Sequence, residues 1–183
     1  MKGNKIKEIK YSNEDTYFID TYYDKKLNNN YIITGNYSYI KKYNYIQNKN
    51  YHKFRDNDND NYFHYYIIIN DSDKDIIKLI DSCNDGFIRI WNYRSGSLIN
   101  KIKIDNKSLY GICLWDNGHV FVICEKRLLL VNINNNSFLN IKTLFYHKNE
   151  VVTIKKIKHS KYEECLISQG YRKDSIILWW FNK

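Results

Sequence analysis

Apolar residues in this chain come in short runs separated by clusters of Asn, Asp, Gly and Ser. That punctuation is the pattern of β-strands joined by turns. The clearest runs are Tyr31–Thr34, Tyr65–Ile69, Ile76–Ile80, Phe87–Trp91, Val120–Cys124, Leu128–Val131 and Ser175–Trp179. Several do not alternate apolar with polar positions. The run Leu128-Leu129-Leu130-Val131 is apolar throughout, as a strand buried on both faces would be. No segment of helical length carries a helical apolar period bounded by caps. The pattern predicts an all-β chain whose sheets are covered on both sides.

A repeat underlies the pattern. Four segments share one order: an apolar strand, a polar turn, a second apolar strand, a tight turn, then a strand ending in a large residue. Those strands end at Tyr43, Trp91, Val131 and Trp179, spaced 48, 40 and 48 residues apart. A four-stranded unit of a radially repeated sheet takes about 40–50 residues. One such sheet cannot hide both faces from water, and stacking against neighbours does so. The expectation is a single domain over 1–183, a β-propeller-like array of about four four-stranded antiparallel blades, with repeats near 4–43, 44–91, 92–131 and 132–181.

The stretch Asp85-Gly86-Phe87-Ile88-Arg89-Ile90-Trp91 resembles the D-G-x-I-x-x-W turn and strand of a WD repeat. It is followed by Tyr93-Arg94-Ser95-Gly96-Ser97-Leu98, similar to the turn into a blade's outer strand. Residues 138–154 are similar to an outer strand, a His-bearing loop at His147 and the next inner strand, and Ser168 to Trp179 repeats the pattern. Asp116-Asn117-Gly118-His119 stands where a blade's first hairpin turn belongs. The resemblance implies a structural set in each blade: a loop His, a strand Ser or Thr, a turn Asp and a strand Trp. Here the second repeat supplies Asp85 and Trp91, with Asp81 near the Ser/Thr position and His64 as its His. The fourth supplies His147, Ser168 and Trp179, with Asp174 one residue nearer the Trp than the pattern asks. The first repeat ends in Tyr43 and the third in Val131 instead of Trp. Residues 5–10 resemble an outer strand without its inner strands, which suits a ring whose last blade is completed by the N-terminal strand.

Composition limits the chemistry. The chain has no Pro, only 7 Gly and no Ala, and is rich in Asn, Ile, Lys and Tyr, a balance that A/T-rich codons produce. The net charge of +9 then follows from codon usage, since five of the 29 basic residues are Arg and the Lys are scattered. Cys83, Cys113, Cys124 and Cys165 lie in apolar segments with no C-x-x-C pair, which predicts reduced thiols and an intracellular, cytoplasmic or nuclear, setting. No apolar run reaches the ~18 residues of a membrane span, and no membrane partner is expected. No nucleophile elbow, P-loop or dinucleotide motif occurs, and the five His share no metal-ligand spacing, so neither an enzyme nor a cofactor or metal is predicted. The run Asp56-Asn57-Asp58-Asn59-Asp60-Asn61 lacks the Gly and Glu of a calcium loop and reads as a solvated connection.

What remains is binding. Partners of WD-repeat propellers dock on the face of the tight hairpin turns, which the resemblance places at Asn36 and Tyr37, Asn84, Lys126, and Tyr171, Arg172 and Lys173. An aromatic beside two cations suits an interface anchor. The expected function is a non-catalytic protein-binding scaffold, and nucleic acid held by the Lys-rich surface is the alternative. Trp179 and Trp180 point to opposite faces of one strand. In an open array one of them lacks a neighbour, which makes a homodimer, or assembly with another propeller chain, a further expectation.

Overall fold

The computed structural model describes residues 16–47, 49–56, 64–71, 76–116, 118–134, 141–161, 163–172 and 175–181. Within them the chain is all-β, and consecutive strands form four antiparallel sheets in chain order. Sheet one contains β1 (Thr16–Asp24), β2 (Asn29–Asn36), β3 (Ile40–Asn44) and β4 (Lys49–Phe54). Sheet two contains β5 (His64–Asp71), β6 (Ile76–Cys83), β7 (Phe87–Asn92) and β8 (Leu98–Lys103). Sheet three contains β9 (Leu109–Asp116), β10 (His119–Cys124), β11 (Arg127–Asn132) and β12 (Ile141–Tyr146). Sheet four has three described strands, β13 (Val151–His159), β14 (Glu163–Gly170) and β15 (Ile176–Trp180). The four repeat ends, Tyr43, Trp91, Val131 and Trp179, all fall on the third strand of a sheet. The N-terminal stretch 5–10 lies outside the described residues.

Short side chains at strand ends fix where the chain reverses. Asp24, Asn44, Asn92, Asp116 and Asn132 each end a first or third strand, and each carboxyl or amide oxygen accepts a backbone N–H two residues on, at 2.8–3.1 Å. Asn and Asp make this turn because their side chains imitate a backbone carbonyl. Codon usage therefore does not account for all of the Asn: these positions have structural work. At the β6–β7 turn, Gly86 takes a φ of 81°, in the left-handed region, and its carbonyl accepts the Ile104 N–H at 2.9 Å.

The core lies in the seams between sheets. Tyr31, Ile33 and Phe54 of sheet one meet Ile77, Leu79, Trp91 and Tyr93 of sheet two and its following turn. Ile80, Ile88 and Ile90 on the other face of sheet two meet Leu109, Ile112, Val120, Val122, Leu129 and Val131. Phe121, Ile123 and Leu128 turn the opposite way, toward Val151, Leu166, Trp179 and Phe181 of sheet four. Alternation along β10 and β11 thus sends neighbouring side chains into two different seams, which is why Val120–Cys124 and Leu128–Val131 are apolar throughout. Sheet one packs on two, two on three and three on four, and no comparable packing joins four to one among the described residues.

One charge is trapped in the first seam. Lys42 is 1% exposed; its Nζ donates to the Tyr93 carbonyl at 3.3 Å and lies 4.2 and 3.9 Å from the Tyr31 and Tyr93 ring centroids. Burial pushes its pKa down to about 8, while Asp24 works the other way. The unfolded chain, with an ordinary lysine pKa near ~10.4, binds more protons between those two values, so this group makes stability rise as pH rises from about 8 to about 10.

Two outcomes follow for denaturant unfolding. Lys42→Met should stabilise the chain by roughly 1–2 kcal/mol at neutral pH, after the lost cation–π contacts are discounted, and its advantage should shrink as pH approaches ~10. A Cβ on Gly86 would lie 2.0 Å from the Asp105 carbonyl oxygen, whereas one on Gly96 (φ 75°) would meet only the His52 side chain, at 3.0 Å. Gly86→Ala should therefore cost at least about 2 kcal/mol and Gly96→Ala nearer ~1 kcal/mol; equal costs would contradict the close approach of the Asp105 loop.

Candidate functional site

Antiparallel strands alternate in direction, so the turns between second and third strands and the connections between sheets come out at one end of the array. Backbone hydrogen bonds join them. The N–H groups of His147, Val151 and Tyr171 donate to the carbonyls of Lys126, Glu125 and Glu150 at 2.8, 2.8 and 2.7 Å. Ion pairs add to this. Arg89, 1% exposed, is held between Asp85, with a short contact, and Asp56 at 3.1 Å. Lys101 reaches the same Asp56 at 2.6 Å, Arg127 reaches Asp105 at 2.6 Å and Lys107 reaches Glu125 at 2.6 Å. Burial works to raise the Asp85 and Asp56 carboxyls, but hydrogen bonds from Arg89 and Lys101 outweigh it and hold both below the usual carboxylate range. Asp56, read from sequence as part of a solvated loop, is instead an ion-pair anchor; residues 57–61 of that acidic run lie outside the described residues.

On this framework Tyr37, Lys126, Tyr171 and Arg172 are exposed. Arg172 adopts a φ of 56° at its turn, with its guanidinium 5.1 Å from the Tyr171 ring centroid. Asn36 is buried: the Thr34 hydroxyl donates to its Oδ1 at 3.2 Å and its N–H donates to the Tyr39 carbonyl at 2.9 Å. Asn84 is half-buried, and Lys173 lies outside the described residues. Asn36 thus braces its hairpin, and the accessible groups are Tyr37, Lys126, Tyr171 and Arg172.

Sequence reasoning missed Arg89, Arg94 and Arg127 as organisers. A signal was available: Arg is scarce here, and a site that retains it needs its planar fork. Arg89 and Arg127 pair with carboxylates on the turn face, and Arg94 pairs with the buried Asp24 at 3.2 Å at the opposite end.

Two hydrogen-bonded constellations, one buried and one partly buried, lie behind the turns. In sheet two the Trp91 indole N–H donates to Asp81 Oδ2 at 2.6 Å, while Asp85 is taken by Arg89. In sheet four the Trp179 indole N–H donates to Ser168 Oγ at 2.6 Å, and Ser168 Oγ lies 2.8 Å from His147 Nε2. Ser168 and Asp81 occupy equivalent positions, each paired with the residue two before the Trp. A Ser–His pair at this distance could in principle form a nucleophile. Here both side chains are buried and the hydroxyl oxygen already accepts from Trp179, so the arrangement braces the blade. The side chains of His64 and Asp174 lie outside the described residues. None of the four cysteines forms a disulfide, and burial raises the thiol pKa of Cys83, Cys113 and Cys124, away from a reactive thiolate. Among the described residues no group of His, Cys, Asp and Glu is gathered that could hold a metal ion.

A central cavity of about 260 Å³ opens where the inner strands β1, β5, β9 and β13 converge, with Phe18, Tyr65 and Tyr110 among its walls. Phe18 and Tyr65 rings pack at 4.6 Å there.

No protein-family model matches the chain, and no curated protein matches it. Solved structures do. The computationally designed Ika4 protein aligns over 99% of this chain and 100% of its own, at 9% identity and a TM-score of 0.68. U3-55K aligns over 96% of this chain and 54% of its own, at 13% identity and a TM-score of 0.69. The WD40 repeats of RRP9 align over 94% and 53%, at 13% identity and a TM-score of 0.68. The chain spans about half the length of the last two. At such identities the likeness speaks for architecture alone, and with the four sheets described above it makes this fold a WD40-like β-propeller array.

Proposed function

We propose that this chain is a non-catalytic scaffold that binds a protein partner through its hairpin-turn face. The observation that carries the reading is the contrast on that face. Its framework is cross-braced by Arg89, Arg127 and the backbone bonds between loops, while Tyr37, Lys126, Tyr171 and Arg172 stand exposed upon it. Exposed Tyr and Arg on a rigid support form interface anchors at low entropic cost, because little ordering remains to be done on binding. The WD40-like architecture agrees with a scaffold role in general. An intracellular setting suits four cysteines without a disulfide.

The alternative, nucleic acid, finds less support in the placement of the cations. Lys42 is buried in a seam, Lys101, Lys107 and Lys156 pair with carboxylates, and Lys103 donates to the Asp85 carbonyl. These five cations are engaged within the fold, which withdraws them from a phosphate backbone.

Affinity capture followed by a binding titration of the captured protein tests the proposal. The Tyr171→Ala/Arg172→Ala variant should weaken binding by about 2 kcal/mol, roughly thirtyfold in Kd, while Ser95→Ala at the opposite end should leave it unchanged. Binding that is indifferent to the first variant would remove this face from consideration. Affinity for an oligonucleotide that collapses steeply with added salt would favour the nucleic-acid reading.

A further inference from the structure

Every inner strand gives the central cavity part of its wall: Phe18 and Asp20 come from β1, Tyr65 and Tyr66 from β5, Tyr110 from β9 and Thr153 from β13. Along β1, Phe18 meets Tyr65 and Tyr22 packs toward sheet two, so alternation turns Asp20, between them, to the same face. The Phe18 and Tyr65 rings stand 53° from parallel, and the Tyr66 hydroxyl is tied down by donating to the Ile33 carbonyl at 2.8 Å. Tyr65 and Tyr110 are half-buried. The charge here runs against the rest of the chain. Asp24, Asp56, Asp85 and Asp105 each meet an Arg or Lys. Asp20 accepts only the neighbouring Thr21 N–H, at 2.7 Å, and makes no ion pair among the described residues. In a chain of net charge +9, no described Lys, Arg or His lines this cavity.

Aromatic rings and a carboxylate together attract positive charge and disfavour anions. Which cation they suit follows from what the walls lack. A hard metal ion wants a cage of oxygens, and no metal-holding group is gathered among the described residues. A primary ammonium is strongly hydrated and brings three N–H donors that each need an acceptor. An ammonium carrying methyl groups in place of those hydrogens has no such need, and its apolar, diffusely charged surface suits ring walls beside one carboxylate. We infer that the cavity binds a methylated ammonium group, with Phe18, Tyr65 and Tyr110 as its aromatic wall and Asp20 as its counter-charge. The volume of about 260 Å³ lies just below the ~300 Å³ at which pockets for drug-sized ligands begin, which fits a head group. A small free molecule or the methylated lysine side chain of another protein carries such a group. This goes beyond the hairpin-face reading, which uses other residues and survives its failure.

Proton NMR titration of the purified chain with choline, and with its uncharged isostere 3,3-dimethyl-1-butanol, is the experiment. Ring currents should move the choline N-methyl signal upfield, and choline should bind at least about fivefold more tightly than the alcohol. That comparison needs no variant. Asp20→Asn, at an exposed position, should weaken choline about fivefold and leave the alcohol unchanged, and Tyr110→Leu should weaken choline by a similar factor. Tyr45→Leu, an exposed aromatic outside the cavity, should change neither, with circular dichroism confirming each fold. A trimethyllysine peptide and its unmethylated counterpart form the second arm. Choline as the tighter ligand supports the site with a free molecule as its source, and a methylation-dependent peptide as the tighter one supports it with a protein side chain. No saturable binding of either, equal affinity for choline and the alcohol, or indifference to both cavity substitutions would each overturn the inference.

Discussion

A narrow antiparallel sheet with two apolar faces is not stable alone, and that constraint organises this molecule. The seams supply what a single sheet cannot. Phe54 packs on Trp91 and Tyr93 at 6.0 and 6.3 Å between ring centroids, and Trp115, Phe121 and Phe181 form a triangle of rings at 5.0–5.4 Å. Each seam buries side chains from two sheets, so each sheet's stability is borrowed in part from its neighbours, as in other repeat architectures. Rigidity of the exposed turns is a by-product of the same packing.

Polar groups follow the seams rather than compete with them. Arg89 and Lys42 sit at buried positions and have different supports. Arg89 is charged among Asp56, Asp81 and Asp85, whereas Lys42 relies on ring faces and a carbonyl, with depressed basicity as the consequence. Two third strands close on a Trp, buried at Trp91 and partly buried at Trp179, whose indole N–H has an acceptor, Asp81 in one blade and Ser168 in the other. The blade is indifferent to which oxygen serves, because what must be met is a buried donor's need for an acceptor. The third blade ends on Val131, which has no donor to satisfy and packs in the second seam.

Much of the fold was legible in the residues. The run Leu128–Val131 announced a strand covered on both sides, and the spacing of Tyr43, Trp91, Val131 and Trp179 announced repeating sheets. Of the turn face, Tyr37, Lys126, Tyr171 and Arg172 were readable as a set because hairpin turns between second and third strands share one end. The ion pairs were not readable. Asp56 and Arg89 are 33 residues apart, and Asp24 and Arg94 are 70 apart. No local pattern reports which carboxylate a folded chain delivers to which guanidinium. Asn36 misled for a related reason: a residue beside a tight turn can face outward or brace the hairpin, and only the packed backbone decides.

The sequence by itself determined the strands, their repeat and the burial of both faces, because alternation and turn chemistry act over a few residues. The tertiary structure alone decided which charges meet across the turn face, that Lys42 is enclosed by Tyr31 and Tyr93, and that the inner strands β1, β5, β9 and β13 converge on one cavity. Those outcomes depend on the angle between successive sheets, a property of side chains interlocking across a seam and written in no single segment.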